Sequence, residues 1–105
     1  MKFVNNSFST KMIKENTNVR IDIITEEEFN AEVHKEDVKS VVGHEDTANL
    51  FNLKFNRETL VLKPNDVLFV CEMNNDTDTR LPIGVTEMKE LSNGVFFRFL
   101  KITVE

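Results

Sequence analysis

Two histidines, one cysteine and an arginine in a polar loop are the side chains of this sequence most able to do chemistry. His44 lies in "SVVGHEDTANLF", where an apolar pair and Gly43 run into a helix-forming stretch. The first amides of a helix are unsatisfied donors with partial positive charge, and such an end attracts phosphate. An imidazole placed there, ordinarily titrating near pH ~6.5, could hold phosphate as a cation or pass a proton to a departing oxygen. On the residues alone, His44 capping the helix or packing beside Ala48 and Phe51 explains the spacing as well, and both readings stand. Gly43 permits a close or left-handed backbone just before the imidazole. "VNNSFS" adds neutral donors in Asn5, Asn6, Ser7 and Ser9, and Arg80 adds a forked cation to an acidic loop.

Other chemistries fall away. His34 and His44 stand ten residues apart and the one thiol lies in a strand, a pattern zinc or iron would not recognise, so no metal and no cofactor is expected. His34 falls at a helix end, where a solvated imidazole beside the last carbonyls needs no further role. Cys71, inside "VLFVCEM", reads as a buried, reduced thiol rather than a nucleophile or half of a disulfide. The glycines match neither the Walker nor the dinucleotide spacing. A net charge of −5 and a pI near 5.1 oppose a surface that grips a long nucleic-acid polymer, while leaving room for a small anion in a local pocket. The N-terminal stretch lacks a signal-peptide core and no run is long enough to span a bilayer, so the cytoplasm is the expected location.

These residues have to be positioned by one small domain, since 105 residues without a linker or repeat suggest a single unit over 1–105. Strands are expected at Lys2 to Phe8 and at Asn18 to Ile24, the latter with Val19, Ile21 and Ile23 on a buried face. "ITEEEFN" then predicts a helix from about Glu26 to Lys35, with Thr25 and Glu28 as a capping box. A second helix is expected from about Glu45 to Leu53. Strands at Glu58 to Leu62 and Val67 to Met73 flank "KPND", whose Pro64 and Asn65 suit a tight turn. Val67 to Met73, apolar on both faces, belongs at the centre of the sheet. A polar loop, a short helix capped by Thr86 and a terminal strand complete the chain. That strand carries Phe96, Leu100, Ile102 and Val104 on one face and Val95, Phe97 and Phe99 on the other. One small core would leave a face over, to be covered by a helix or by a second copy of the protein, and with so few helices a homodimer is expected. The fold class is α/β (α+β), a mixed sheet of about five strands flanked by short helices.

In this order, "VNNSFS", "SVVGHEDTANLF", "FNRETLVLKPND" and "TRLPIG" resemble the small viral ring nucleases, anti-CRISPR proteins that act against type III systems. The resemblance spans nearly the whole chain, and its most specific element is Gly-His followed by Thr47. It implies a dimer enclosing cyclic tetra-adenylate and cleaving it without metal, with His44 as general acid and Arg80 on the phosphate. It implies also that Asn6, Ser9, Gly43 and Thr47 bind the ligand. The ribose 2′-hydroxyl would attack its own phosphate, so that the protein supplies alignment, charge and a proton. The chain departs from the pattern at Ile83, where well-known members carry a glutamate, and a substitute carboxylate would have to come from Glu45, Glu72 or Glu87. Two other readings accompany this one: a non-catalytic sponge of the same fold that sequesters the cyclic nucleotide, and a protein-interaction module using the Phe-rich face of the last strand.

Overall fold

A five-stranded mixed sheet runs through the centre of the computed structural model, which describes residues 1–73 and 97–105. Its strands are β1 (Lys2–Asn5), β2 (Val19–Ile24), β3 (Val38–Ser40), β4 (Val67–Met73) and β5 (Phe97–Val104), in the spatial order β2-β5-β4-β1-β3. β1 runs parallel to both β3 and β4, whereas β5 is antiparallel to β4 and to β2. Helices α1 (Glu26–Val33) and α2 (Glu45–Leu50) pack on one side. The α/β class and the mixed five-stranded sheet expected from the sequence are therefore observed.

Alternation along the strands sorts the core into two layers. Val4, Phe69, Cys71, Phe97 and Phe99 face the helices, where they meet Phe29 and Val33 of α1 and Ala48 of α2. Aromatic rings dominate this layer: Phe51 meets Phe97 edge to face with centroids 4.8 Å apart, and Phe29 lies 5.0 Å from Phe99. Such pairs contribute beyond their buried area. The opposite face carries Phe3, Leu68, Val70, Leu100, Ile102 and Val104, and it is covered by Leu60 and Leu62 from the segment between α2 and β4.

That covering segment corrects two expectations. Residues 58–62 do not form a strand; they lie extended across the sheet, held at single points such as the Leu62 amide to the Met12 carbonyl at 2.7 Å. Alternation of Leu60 and Leu62 with exposed Val61 looks strand-like whenever one side of an extended chain is buried, whether or not a ladder forms. The missing strand is β3, three residues long and set among charges, with too few positions to show a period. The second correction concerns β5. Among the described residues Phe97 and Phe99 of β5 are covered by the helices and Leu100, Ile102 and Val104 by the extended segment, so the leftover face from which a dimer was expected is not observed. Val95 and Phe96 lie outside the described residues, as do Arg80, Ile83, Glu87 and the helix expected after Thr86.

Other local readings hold. β4 is central, and α1 opens with the capping box: Thr25 Oγ1 accepts from the Glu28 amide at 3.1 Å, and Glu28 accepts from the Thr25 amide at 3.4 Å. β1 is shorter than expected, ending at Asn5. In β2 the face expected to be buried is not: Ile21 and Ile23 are exposed, whereas Asp22 and Ile24 on the other face are half-buried. As an edge strand it pairs only with β5, so Ile21 and Ile23 are 52% and 64% exposed. His34 is more than a solvated end residue: it caps α1, with Nδ1 3.1 Å from the Asn30 carbonyl and Nε2 2.8 Å from the Phe51 carbonyl, tying the ends of both helices. Among the described residues no helix is long and apolar enough to cross a membrane.

Pro64 and Asn65 make the turn into β4, with Asn65 at φ 74° and the Asp66 amide donating to the Lys63 carbonyl at 3.0 Å. Asp66 closes it by accepting from the Lys63 amide at 2.9 Å and from the Met1 ammonium at 2.9 Å. Burial works to raise the Asp66 pKa, but those two donors outweigh it and hold the carboxyl below its ordinary 3.8. Asp66→Ala is expected to cost about 1–3 kcal/mol in urea unfolding. Because the folded-state value is depressed, the deficit is full above pH 3.8 and shrinks as pH falls through the lower folded value. A deficit identical at about pH 7 and about pH 2 would show that the charge contributes nothing.

Candidate functional site

The three parallel strands end at the same side of the sheet, and each hands the chain to a polar segment there. β1 leads into Asn6 and Ser7, β3 leads through Val41 and Val42 into Gly43 and His44, and β4 finishes with Glu72 and Met73. Clefts at the carboxyl ends of parallel strands are where open α/β sheets bind ligands. A cavity of about 380 Å³ opens at that point, and His44, Thr47, Asn6, Ser7, Glu72 and Phe97 are among the residues lining it.

His44 is the N-cap of α2, with φ −120° and ψ 113°. Its Nδ1 accepts from the Thr47 amide at 3.3 Å and lies 3.1 Å from Thr47 Oγ1. An imidazole nitrogen that accepts carries no proton, so the neutral ring capped in this way has its hydrogen on Nε2. Among the described residues Nε2 has no protein partner. The helix-cap reading and the chemical reading of His44 are thus compatible, since they use different nitrogens. The expectation that bare α2 amides draw an anion fares differently. The Thr47 amide is taken by the cap, and Glu45 and Asp46 stand in the first turn of a helix only six residues long.

Beneath the imidazole, the Asn6 carboxamide fixes the approach to α2. Its Oδ1 accepts from the Gly43 amide at 3.2 Å, and among the described residues its Nδ2 makes no hydrogen bond. Gly43 does not have a left-handed backbone; a Cβ there would lie 3.2 Å from Arg57 Cγ, a tight contact that the arginine stem would have to relieve by a few tenths of an ångström. Arg57 in turn donates from Nε to the Gly43 carbonyl at 3.0 Å. On that side of Asn6 and Ser7 lies a second cavity of about 430 Å³, lined also by Gly43, Arg57, Glu58 and Thr59. Lys39 and Asn56 hydrogen-bond the Glu58 carboxylate and hold its pKa below the ordinary range.

Of the residues expected at the site, the fold brings together His44, Gly43, Thr47 and Asn6. Ser9 is elsewhere: its hydroxyl caps the 3₁₀ turn Thr10–Met12 by accepting from the Lys11 amide at 3.2 Å, and Ser7 lines the cavity in its stead. Arg80 lies outside the described residues. Of the three substitute carboxylates, Glu72 lines the His44 cavity, Glu45 is exposed on α2, and Glu87 is not described. Cys71 also reaches this cavity, but its thiol is buried, donates to the Asn5 carbonyl at 3.6 Å, and is pushed up to about 12 by that burial. Such a thiol is not a nucleophile. Among the described residues no cluster of His, Cys, Asp or Glu could hold a metal ion. The sequence reading leaves Arg57, in "FNRETL", without a role. A signal exists in principle, since a basic residue in an acidic chain is notable, but its contact with Gly43 spans fourteen residues of irregular backbone.

Comparison with known proteins agrees with this fold. A family model described as STIV B116-like matches residues 2–99. Among solved structures, B116 of Sulfolobus turreted icosahedral virus is similar at 27% identity and a TM-score of 0.78, over 96% of this chain and 97% of that one. No curated protein gives a significant match.

Because His44 is held by one nitrogen only, cap and chemistry are separable. His44→Ala removes the cap and is expected to cost about 0.5–2 kcal/mol in urea unfolding, whereas His44→Asn, which restores a strong N-cap, should lie near wild type. Equal losses in the two variants would mean that the capping bond contributes nothing.

Proposed function

The chain belongs to the STIV B116-like family, and from that membership and the cavity at His44 we propose that it is a metal-independent ring nuclease. In this reading it cleaves cyclic tetra-adenylate and so suppresses type III CRISPR defence. The observation that carries the reading is the division of labour within one imidazole: Nδ1 is anchored to Thr47 and Nε2 is left for the ligand. The resemblance of "VNNSFS", "SVVGHEDTANLF" and "TRLPIG" to viral ring nucleases supplies the substrate and the homodimer, each protomer presenting an equivalent half-site to a ring of repeated phosphates.

The reaction asks little of the protein. The ribose 2′-oxygen forms a bond to the adjacent phosphorus, the bond from phosphorus to the 5′-oxygen breaks, and the product is a 2′,3′-cyclic phosphate with a free 5′-hydroxyl. The departing 5′-oxygen takes its proton from His44 Nε2. For that step the ring must be a cation, because a neutral imidazole N–H is a poor acid. Thr47 fits this need. When Nδ1 gains a proton the backbone bond is lost, but the hydroxyl 3.1 Å away can turn and accept, so the ring keeps its anchor in both states. Asn6 Nδ2 is placed to donate to a phosphate oxygen, and Arg80 is assigned to the phosphate by resemblance. Glu72, in the same cavity, takes the part of the carboxylate that Ile83 cannot play, receiving the 2′-hydroxyl proton.

A second reading keeps the cavity and drops the chemistry: with Ile83 in the helper position, the protein would bind the ring and shield it from its effector. Incubating the purified protein with cyclic tetra-adenylate in chelator and resolving the products separates the two. Cleavage that falls about 10²- to 10⁴-fold in His44→Asn, a variant that keeps the cap, is the expected result. Ligand retained intact by the wild type would establish the sponge instead. Glu72→Gln is expected to slow cleavage about 10- to 100-fold while leaving ligand affinity unchanged, read from single-turnover rates.

A further inference from the structure

His34 and His44 hold the two ends of the same helix with opposite proton demands. At the start of α2, His44 Nδ1 accepts from the Thr47 amide, which requires that nitrogen to carry no hydrogen. At the end of α2, His34 faces carbonyl oxygens with both of its nitrogens: Nδ1 lies 3.1 Å from the Asn30 carbonyl and Nε2 lies 2.8 Å from the Phe51 carbonyl. A carbonyl only accepts, and a neutral imidazole carries a single hydrogen. In the neutral ring one nitrogen therefore sets its lone pair against that of an oxygen. The imidazolium makes both bonds.

The backbone around His34 favours that cation. Asn30 belongs to the last turn of α1 and Phe51 is the C-cap of α2, so both oxygens sit where helix carbonyls run out of amide partners and the dipole is negative. The charged side chains close by offset one another. Lys35, Glu36, Lys39 and Lys54 line the cavity of about 380 Å³ that His34 borders, and Lys35 and Lys39 are paired with Glu32 and Glu58. Asp37, next along the chain, is paired with Lys2, and the titratable groups of α2, Glu45 and Asp46, stand in its first turn at the far end. The geometry points to His34 as a proton-operated clasp: as imidazolium it ties the carboxyl ends of α1 and α2 together, and on losing a hydrogen it releases one of them. Acid therefore anchors α2 by its end, and a neutral medium anchors it by the His44 cap. Phe51 meets Phe97 edge to face, and Phe97 lines the His44 cavity, so the end that the clasp holds also backs the cleft. The clasp acts whatever that cavity binds.

The folded chain holds the second hydrogen on His34 better than the unfolded chain does. The clasp's contribution to stability is thus full below the ordinary histidine range near pH ~6.5 and is lost as pH rises above it. The test compares urea midpoints of the full wild-type chain and His34→Gln from about pH 5.5 to about pH 8.5. Glutamine keeps an amide donor and does not titrate, and every other titrating group is common to both chains and drops out of the difference. The wild-type midpoint is expected to exceed the variant's by about 0.5–1 M more at the acid end than at the alkaline end. A difference that stays constant, or that grows with pH, overturns the clasp. Where His34→Gln fails to fold, long-range proton–nitrogen spectra of the wild-type rings decide, with His44→Asn telling the two histidines apart. At about pH 6.5 the His34 ring should carry hydrogen on both nitrogens, and a single neutral tautomer at that pH overturns the inference.

Discussion

Parallel pairing of β1 with β3 and β4 is the constraint from which the site follows. Strands that run the same way deliver their carboxyl ends to one edge, so Asn6, His44 and Glu72 meet although they lie up to 66 residues apart in the sequence. Antiparallel β5 could not contribute in the same manner: it enters at that edge, through Phe97 against Met73, and brings an aromatic wall rather than a polar turn. Each parallel strand must also return through a crossover. Here one crossover carries α1 and the other carries α2 followed by the extended segment, and these are the elements that cover the two faces of the sheet. Topology, core and cleft are therefore settled by the same pairings.

His44 caps α2 with one nitrogen of its ring, and the proposed reaction uses the other. A cap normally uses Ser, Thr, Asp or Asn, which satisfies the helix end but offers no titratable hydrogen near neutrality. Imidazole in that position trades some capping strength for a second nitrogen whose direction is fixed by the first. Thr47 makes the trade workable by offering an amide that donates and a hydroxyl that can donate or accept, both within 3.3 Å of Nδ1. In the proposed reaction the general acid is thus oriented by the fold's own backbone accounting, with no third side chain reserved for that purpose.

Much of this is legible in the sequence, for definite reasons. The capping box at Thr25 and Glu28, the Pro64-Asn65 turn and the central β4 are encoded by neighbouring residues, and local chemistry decides them. The grouping of Asn6, Gly43, His44 and Thr47 is accessible because three of the four belong to one helix start. What is not legible depends on distant partners. β3 is a strand only because β1 lies beside it, and residues 58–62 are not a strand because no ladder neighbour pairs with them. The leftover face of β5 vanishes for the same reason: periodicity reports that a face is apolar, not which part of the chain covers it.

For a chain of net charge −5 the proposed binding of a polyanion has to act over short range. At physiological salt, exposed charges are screened beyond about 8 Å, so the overall negative field neither gathers nor repels a small ligand once it reaches the cleft. What matters inside is which donors are unspent. Lys39 is engaged by Glu58. Among the described residues Asn6 Nδ2, His44 Nε2 and the terminal amino groups of Arg57 make no hydrogen bond. In the proposed reading these donors suit a compact ligand whose phosphates recur at fixed intervals. They are too few to hold a long strand at cellular salt, where counterions compete for every phosphate and only many simultaneous cations outbid them.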